Sequence, residues 1–117
     1  MDAINKIYSN EVGISFFWKK EEHMETRRVQ MVFRDIGFLL TLHELKEFSK
    51  GCTNAKASYN CNQCADHQHC RSLLLRTPSE KIDLAVSIDE LDQLQELINT
   101  TVFRVSLKNW VQNLCLN

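Results

Sequence analysis

The chain has 117 residues, 14 basic and 15 acidic side chains and a formal net charge of -1. That length supplies one domain with one core. The balanced charge gives no field to draw the chain to nucleic acid or an anionic membrane, and three scattered glycines leave no Gly-rich phosphate loop.

The opening stretch MDAINKIYSNEVGISFF has no basic region ahead of a long apolar run, and no apolar run in the chain is long enough to cross a bilayer. The expectation is a cytoplasmic protein with reduced thiols and no membrane association. Five cysteines, an odd count, argue against a closed disulfide framework.

The first element is a strand: Val12, Ile14, Phe16 and Trp18 alternate with Gly13, Ser15 and Phe17, and the first set is expected to face the core. Lys19 to Thr26 is charged and reads as a loop. Val29, Met31 and Phe33 mark a second strand. Asp35-Ile36-Gly37 reads as a tight turn with Gly37 free to take positive φ. Phe38 to Thr41 is a third strand. Thr41 and Glu44 then form a capping box, followed by Leu42, Leu45 and Phe48 at helical spacing. Lys50 and Gly51 read as the end of that helix.

Cys52 to His69 shows no apolar periodicity and reads as a polar loop. After it the pattern starts again. Leu73 to Arg76 is a strand, Thr77-Pro78-Ser79-Glu80 a turn, and Ile82, Leu84 and Val86 a second strand. Ser87 and Glu90 form another capping box, with Leu91, Leu94, Leu97 and Ile98 along one helix face. Asn99-Thr100-Thr101 reads as the helix end, Val102 to Leu107 as a final strand, and Trp110, Val111 and Leu114 as a short closing helix.

The elements add up to an α+β domain over residues 1–117: an antiparallel sheet of five or six strands with two helices on one face. Units of about 27–51 and 70–100 share the order strand, turn, strand, capping box, helix. They point to an internal duplication of a strand–strand–helix unit, joined by the Cys-rich loop 52–70. Arg34 and Arg76 hold equivalent places in it.

The cysteine loop carries the chemistry. Cys52, Cys61, Cys64 and Cys70 are spaced C-x8-C-x2-C-x5-C, with His67 and His69 between the last two. Two residues between cysteines let both sulfurs converge on one ion. Four readings compete: structural zinc held by the four cysteines, or by three with His67 or His69 as a substitute; an iron–sulfur cluster; a thiol-redox switch with Lys56 and Arg71 lowering a thiol pKa; and reduced thiols without a ligand. Zinc would be structural, because four thiolates leave no open position, and only Asp66 or Glu80 could serve as an acid or base. A Cys64–His67 nucleophile pair lacks any oxyanion motif. Cys115 reads as a packing residue.

Other side chains read more plainly. His23 and His43 sit among charges and are expected in solvent. Lys19, Lys20, Arg27 and Arg28 are offset by Glu21, Glu22 and Glu25, so a nucleic-acid stripe is not expected. Arg34, Arg76 and Arg104 are expected to pair with Asp83 or a glutamate, the alternative being an open face for an acidic partner. Phe16-Phe17-Trp18 places apolar groups on both faces of a strand, as in a central strand or a homodimer interface.

The segments GISFFWKK, VQMVFRDIGFLLTLHELKEF and CRSLLLRTPSEKIDLAVSIDELDQLQELI together resemble a small uncharacterised family found mainly in Bacteroidetes, a domain of unknown function. The similarity spans roughly residues 13–100. Arg76-Thr77-Pro78 and the Ser87-to-Leu91 helix start are its most telling pieces. The resemblance implies a C-x-x-C after the first strand, and here Trp18 to Glu21 contain no cysteine. It implies no activity. The expected function is a non-catalytic, zinc-stabilised binding or adaptor domain for a protein partner not identified by sequence. The alternative is a thiol-redox or iron–sulfur protein built on the same cysteines.

Overall fold

The computed structural model describes residues 3–19, 27–58 and 70–115. Its elements in order are β1 (Ile4–Ser9), β2 (Gly13–Trp18), β3 (Val29–Phe33), β4 (Ile36–Leu40), α1 (Leu42–Ser58), β5 (Leu73–Arg76), β6 (Asp83–Val86) and α2 (Ile88–Cys115). The architecture is α+β. The strands form two sheets: an antiparallel four-stranded meander in the order β1-β2-β3-β4, and a separate β5-β6 hairpin. The expected single sheet of five or six strands is thus split. The hairpin joins the rest through its side chains: Leu73, Leu75, Leu84 and Val86 are buried in the same apolar cluster as Met31, Phe33, Leu45, Phe48, Leu91 and Leu94.

β1 has no counterpart in the sequence reading. Its pairing with β2 shifts register between Lys6 and Tyr8, which breaks the alternation that marks a strand. In β2 the core face is the reverse of the expected one. Ser15 and Phe17 face the core, Phe16 packs edge-on against Trp18, and Trp18 is 41% exposed. This face packs against α2. A Cβ on Gly13 would lie 3.1 Å from Leu97 Cδ2 of α2, and its 2.1 Å approach to the Val32 carbonyl oxygen of β3 leaves room only for glycine. Ser15 Oγ meets Thr101 Oγ1 of α2 at 2.6 Å, and Thr101 Oγ1 donates to the Leu97 carbonyl at 2.6 Å, which satisfies both buried hydroxyls. β2 is a central strand, which accounts for apolar side chains on both of its faces.

The β3–β4 turn is Arg34-Asp35, since Phe33 pairs with Ile36, and Gly37 lies within β4. The left-handed residue is Arg34, at φ 55°, and no glycine has positive φ. Such a conformation costs a non-glycine residue about 1–3 kcal/mol. Contacts offset it: Arg34 N–H donates to the Val12 carbonyl at 2.8 Å, and its Nη2 donates to the Ala85 carbonyl at 3.0 Å.

Both capping boxes form. Glu44 N–H donates to Thr41 Oγ1 at 3.1 Å while Thr41 N–H donates to Glu44 Oε1 at 2.9 Å. Ser87 and Glu90 repeat this at 3.0 and 3.1 Å. The helix ends differ from expectation. α1 passes through Lys50 and Gly51 to Ser58, because Leu45, Phe48 and Cys52 continue one buried face. α2 runs on as one helix through the expected stop, strand and closing helix. Thr101 and Val105 extend the inward line of Leu94, Leu97 and Ile98, and helical packing overrides the β-branched run. The order hairpin, capping box, helix does occur twice, with the two hairpins in different sheets.

Candidate functional site

A cleft of about 620 Å³ lies where β2 and β3 meet the start of α1 and the C-terminal half of α2. Its floor is apolar: Phe17, Val29, Leu42 and Val105. Its polar lining is Arg27, Arg28, Thr41, His43, Lys108 and Asn109. Among the described residues the lining holds no carboxylate and carries three basic side chains and one histidine. Arg27 is stacked on Phe17, its guanidinium carbon 3.9 Å from the ring centroid, which pre-orients it. Arg28, His43 and Lys108 are exposed. Such a lining suits an acidic group carried on an apolar or extended backbone.

The walls are held by polar ties between elements. Asn10 closes the β1–β2 turn, its Oδ1 accepting from the Val12 and Gly13 amides at 3.1 and 3.2 Å. Its Nδ2 donates to the Gln93 carbonyl and to Glu96 Oε1, both at 2.8 Å, and the Tyr8 hydroxyl donates to the same Glu96 oxygen at 2.8 Å. These two bonds hold the Glu96 carboxyl below its usual pKa, while the neighbouring carboxylate raises that of Tyr8. Arg104 donates to the Ile7 carbonyl at 2.6 Å. Together they fix α2 against the first hairpin.

A second tie sits at the start of α2. Arg71 Nε and Nη2 each donate to Glu90 at 2.9 Å, and Arg34 Nη1 approaches Glu90 Oε2 at 3.4 Å. Burial opposes the charge on Glu90. The hydrogen bonds from Arg71 and the Ser87 amide, with the Arg34 and Arg71 charges, outweigh it and hold the carboxyl below its usual pKa. Arg76 pairs with Asp83 across the hairpin at 4.0 Å, and Arg34 pairs with Glu90, in line with the expected charge pairing. Arg104 lies on α2 rather than on a strand.

The cysteines do not all lie in one loop. Cys52 is on α1, wholly buried in the apolar cluster with Leu45 and Phe48. Burial pushes its thiol up to about 12, so it remains a protonated, small apolar side chain at neutral pH. Cys70 is half-buried, next to Arg71 and its tie to Glu90. Cys61, Cys64, His67 and His69 lie outside the described residues, as do His23, the 20–26 part of the charged loop and the packing of Cys115. Among the described residues, no three His, Cys, Asp or Glu side chains gather as an ion site. Among those residues also, no helix is long and apolar enough to cross a membrane.

Sequence reasoning missed the cleft. Its basic residues come from positions 27–28, 43 and 108, and only the packing of α1 and α2 brings them together. A family profile described as "Family of unknown function (DUF6686)" matches residues 5–115, and the chain belongs to that family. No curated protein and no solved structure matches the chain.

Proposed function

We propose that this DUF6686 protein is a cytoplasmic binding domain without chemistry of its own, which takes an acidic segment of a partner protein into the basic cleft. The observation that carries the reading is the cleft lining. Arg28, His43 and Lys108 stand exposed around an apolar floor and, among the described residues, no carboxylate lines the cleft. Charge complementarity of this kind sets on-rate and partner choice. The test is a titration of a fluorescent oligo-glutamate peptide. Binding is expected to saturate and to weaken with salt, and Arg28→Glu with Lys108→Glu is expected to weaken it at least ~10-fold. Absence of saturable binding, or indifference to that pair, contradicts the reading.

The same domain is proposed to hold a structural zinc ion between α1 and β5. In this reading the ligands are Cys61, Cys64 and Cys70, completed by His67 or His69, while Cys52 stays in the apolar cluster with Leu45 and Phe48. The support is the C-x2-C-x5-C spacing together with the anchoring of Cys70 through Arg71. Protein purified without chelator is expected to be colourless, to carry about one zinc per chain, and to melt at lower temperature after Cys61→Ser. A brown chromophore supports the iron–sulfur alternative, and free thiols with no metal contradict both.

A further inference from the structure

The C-terminal half of α2 carries apolar side chains on opposite sides. Thr101 and Val105 are buried against the sheet. Phe103, Leu107, Trp110, Val111 and Leu114 are exposed, Phe103 at 65% and Trp110 at 60%. At about 100° per residue, this second set projects away from the Val105 side. A helix with an apolar stripe on each of two opposite sides buries both in its working state. Phe103, Leu107, Trp110 and Leu114 follow one another at steps of four, three and four residues, the repeat of a coiled-coil seam.

We propose that a second copy of this chain covers this stripe, α2 lying antiparallel on α2 about a two-fold axis near residues 108 and 109. A two-fold contact is self-complementary, so Leu107 of one copy meets Trp110 of the other, and Phe103 meets Leu114. The area suffices: five half-exposed side chains offer on the order of 500 Å² per copy, and two stripes together bury about 1,000 Å², the lower bound of a stable interface. Charge agrees with the orientation. Residues 102–115 hold only two charges, Arg104 and Lys108, both basic. Antiparallel packing sets Arg104 opposite Asn113, whereas parallel packing would bring the two Arg104 side chains level. The cleft uses Val105, Lys108 and Asn109 on another side of α2, so the dimer leaves it open, and this proposal stands independently of the cleft's ligand.

Sedimentation equilibrium of the full chain tests it. The wild type is expected to move from 13.7 kDa towards twice that mass as its concentration rises to about 100 μM. Leu107→Lys and Trp110→Glu, each alone, are expected to weaken the dimer at least ~100-fold while leaving the far-ultraviolet helix signal intact, because both positions are exposed. Mixing the two variants is expected to restore a heterodimer, since antiparallel packing puts the lysine against the glutamate and leaves one Leu–Trp contact whole. A wild type that stays monomeric, a dimer indifferent to both substitutions, or no gain on mixing each overturns the proposal.

Discussion

The two helices begin alike and end differently. α1 opens on Thr41 and Glu44, α2 on Ser87 and Glu90, each pair exchanging side-chain and backbone hydrogen bonds. α1 then buries one face through Leu45, Phe48 and Cys52 and closes on a polar turn, with Lys56 reaching Asp92 at 2.6 Å. α2 buries Leu91, Leu94, Leu97, Ile98, Thr101 and Val105, and past that point exposes Phe103, Leu107, Trp110 and Leu114. A helix start is a local device, carried by two residues three apart. Where a helix stops, and what its faces meet, belongs to the packing of distant elements.

The sharpest way to break the comparison is to truncate α2 on each side. Leu97→Ala removes a wholly buried side chain and is expected to cost about 2–5 kcal/mol. Leu107→Ala, at an exposed position, is expected to shift the stability of dilute protein by no more than about 0.5 kcal/mol. Urea denaturation of both variants at low concentration measures this. Equal losses would mean that the outer stripe is already packed within one chain.

Two glycines sharpen the contrast between a contact that fixes packing and a residue merely carried by a helix. Gly13→Ala drives a Cβ into the Val32 carbonyl and is expected to destabilise by about 1–3 kcal/mol. Gly51→Ala meets only Arg76 O at 3.7 Å, inside α1, and is expected to stabilise by about 0.5–1 kcal/mol. Thermal melts give both signs. A destabilising Gly51→Ala would restore the helix end expected there from sequence.

These glycines show what the sequence can carry. Both capping boxes, strands β2, β3, β5 and β6 and the Pro78 turn were legible, because each is written in neighbouring residues. Gly51 read as a stop because a lysine and a glycine stand together. Cys52 and Ala55 in fact continue the apolar face, and counting Cys52 as a small apolar residue would have extended the helix. Asn99-Thr100-Thr101 read as the helix end and Val102 to Leu107 as a strand, because β-branched residues favour strands. Thr101 stays helical and buried: its hydroxyl donates to the Leu97 carbonyl and accepts from Ser15, 86 residues away. The reversed face of β2 has the same origin, in the packing of α2 on Ser15. The basic cleft was illegible, since its lining comes from four separated stretches.

The smallest effect concerns the start of α2. Glu90 has a lowered folded-state pKa. Its contribution to stability is therefore complete above the unfolded value near 4.5 and is lost as pH falls through the lower folded value. Glu90→Gln is expected to flatten that acid limb of the stability profile, read by urea denaturation at stepped pH. An acid limb unchanged in the variant would show that the arginines add nothing to the capping box.

Amide hydrogen exchange along α2, at dilute and at concentrated protein, tests most directly whether the helix has one buried half and one half awaiting a second copy. Protection over residues 91–101 is expected to be high and independent of concentration, and protection over 103–114 to rise with concentration. Protection that is uniform along α2 at both concentrations would contradict the division of the helix and the dimer drawn from it.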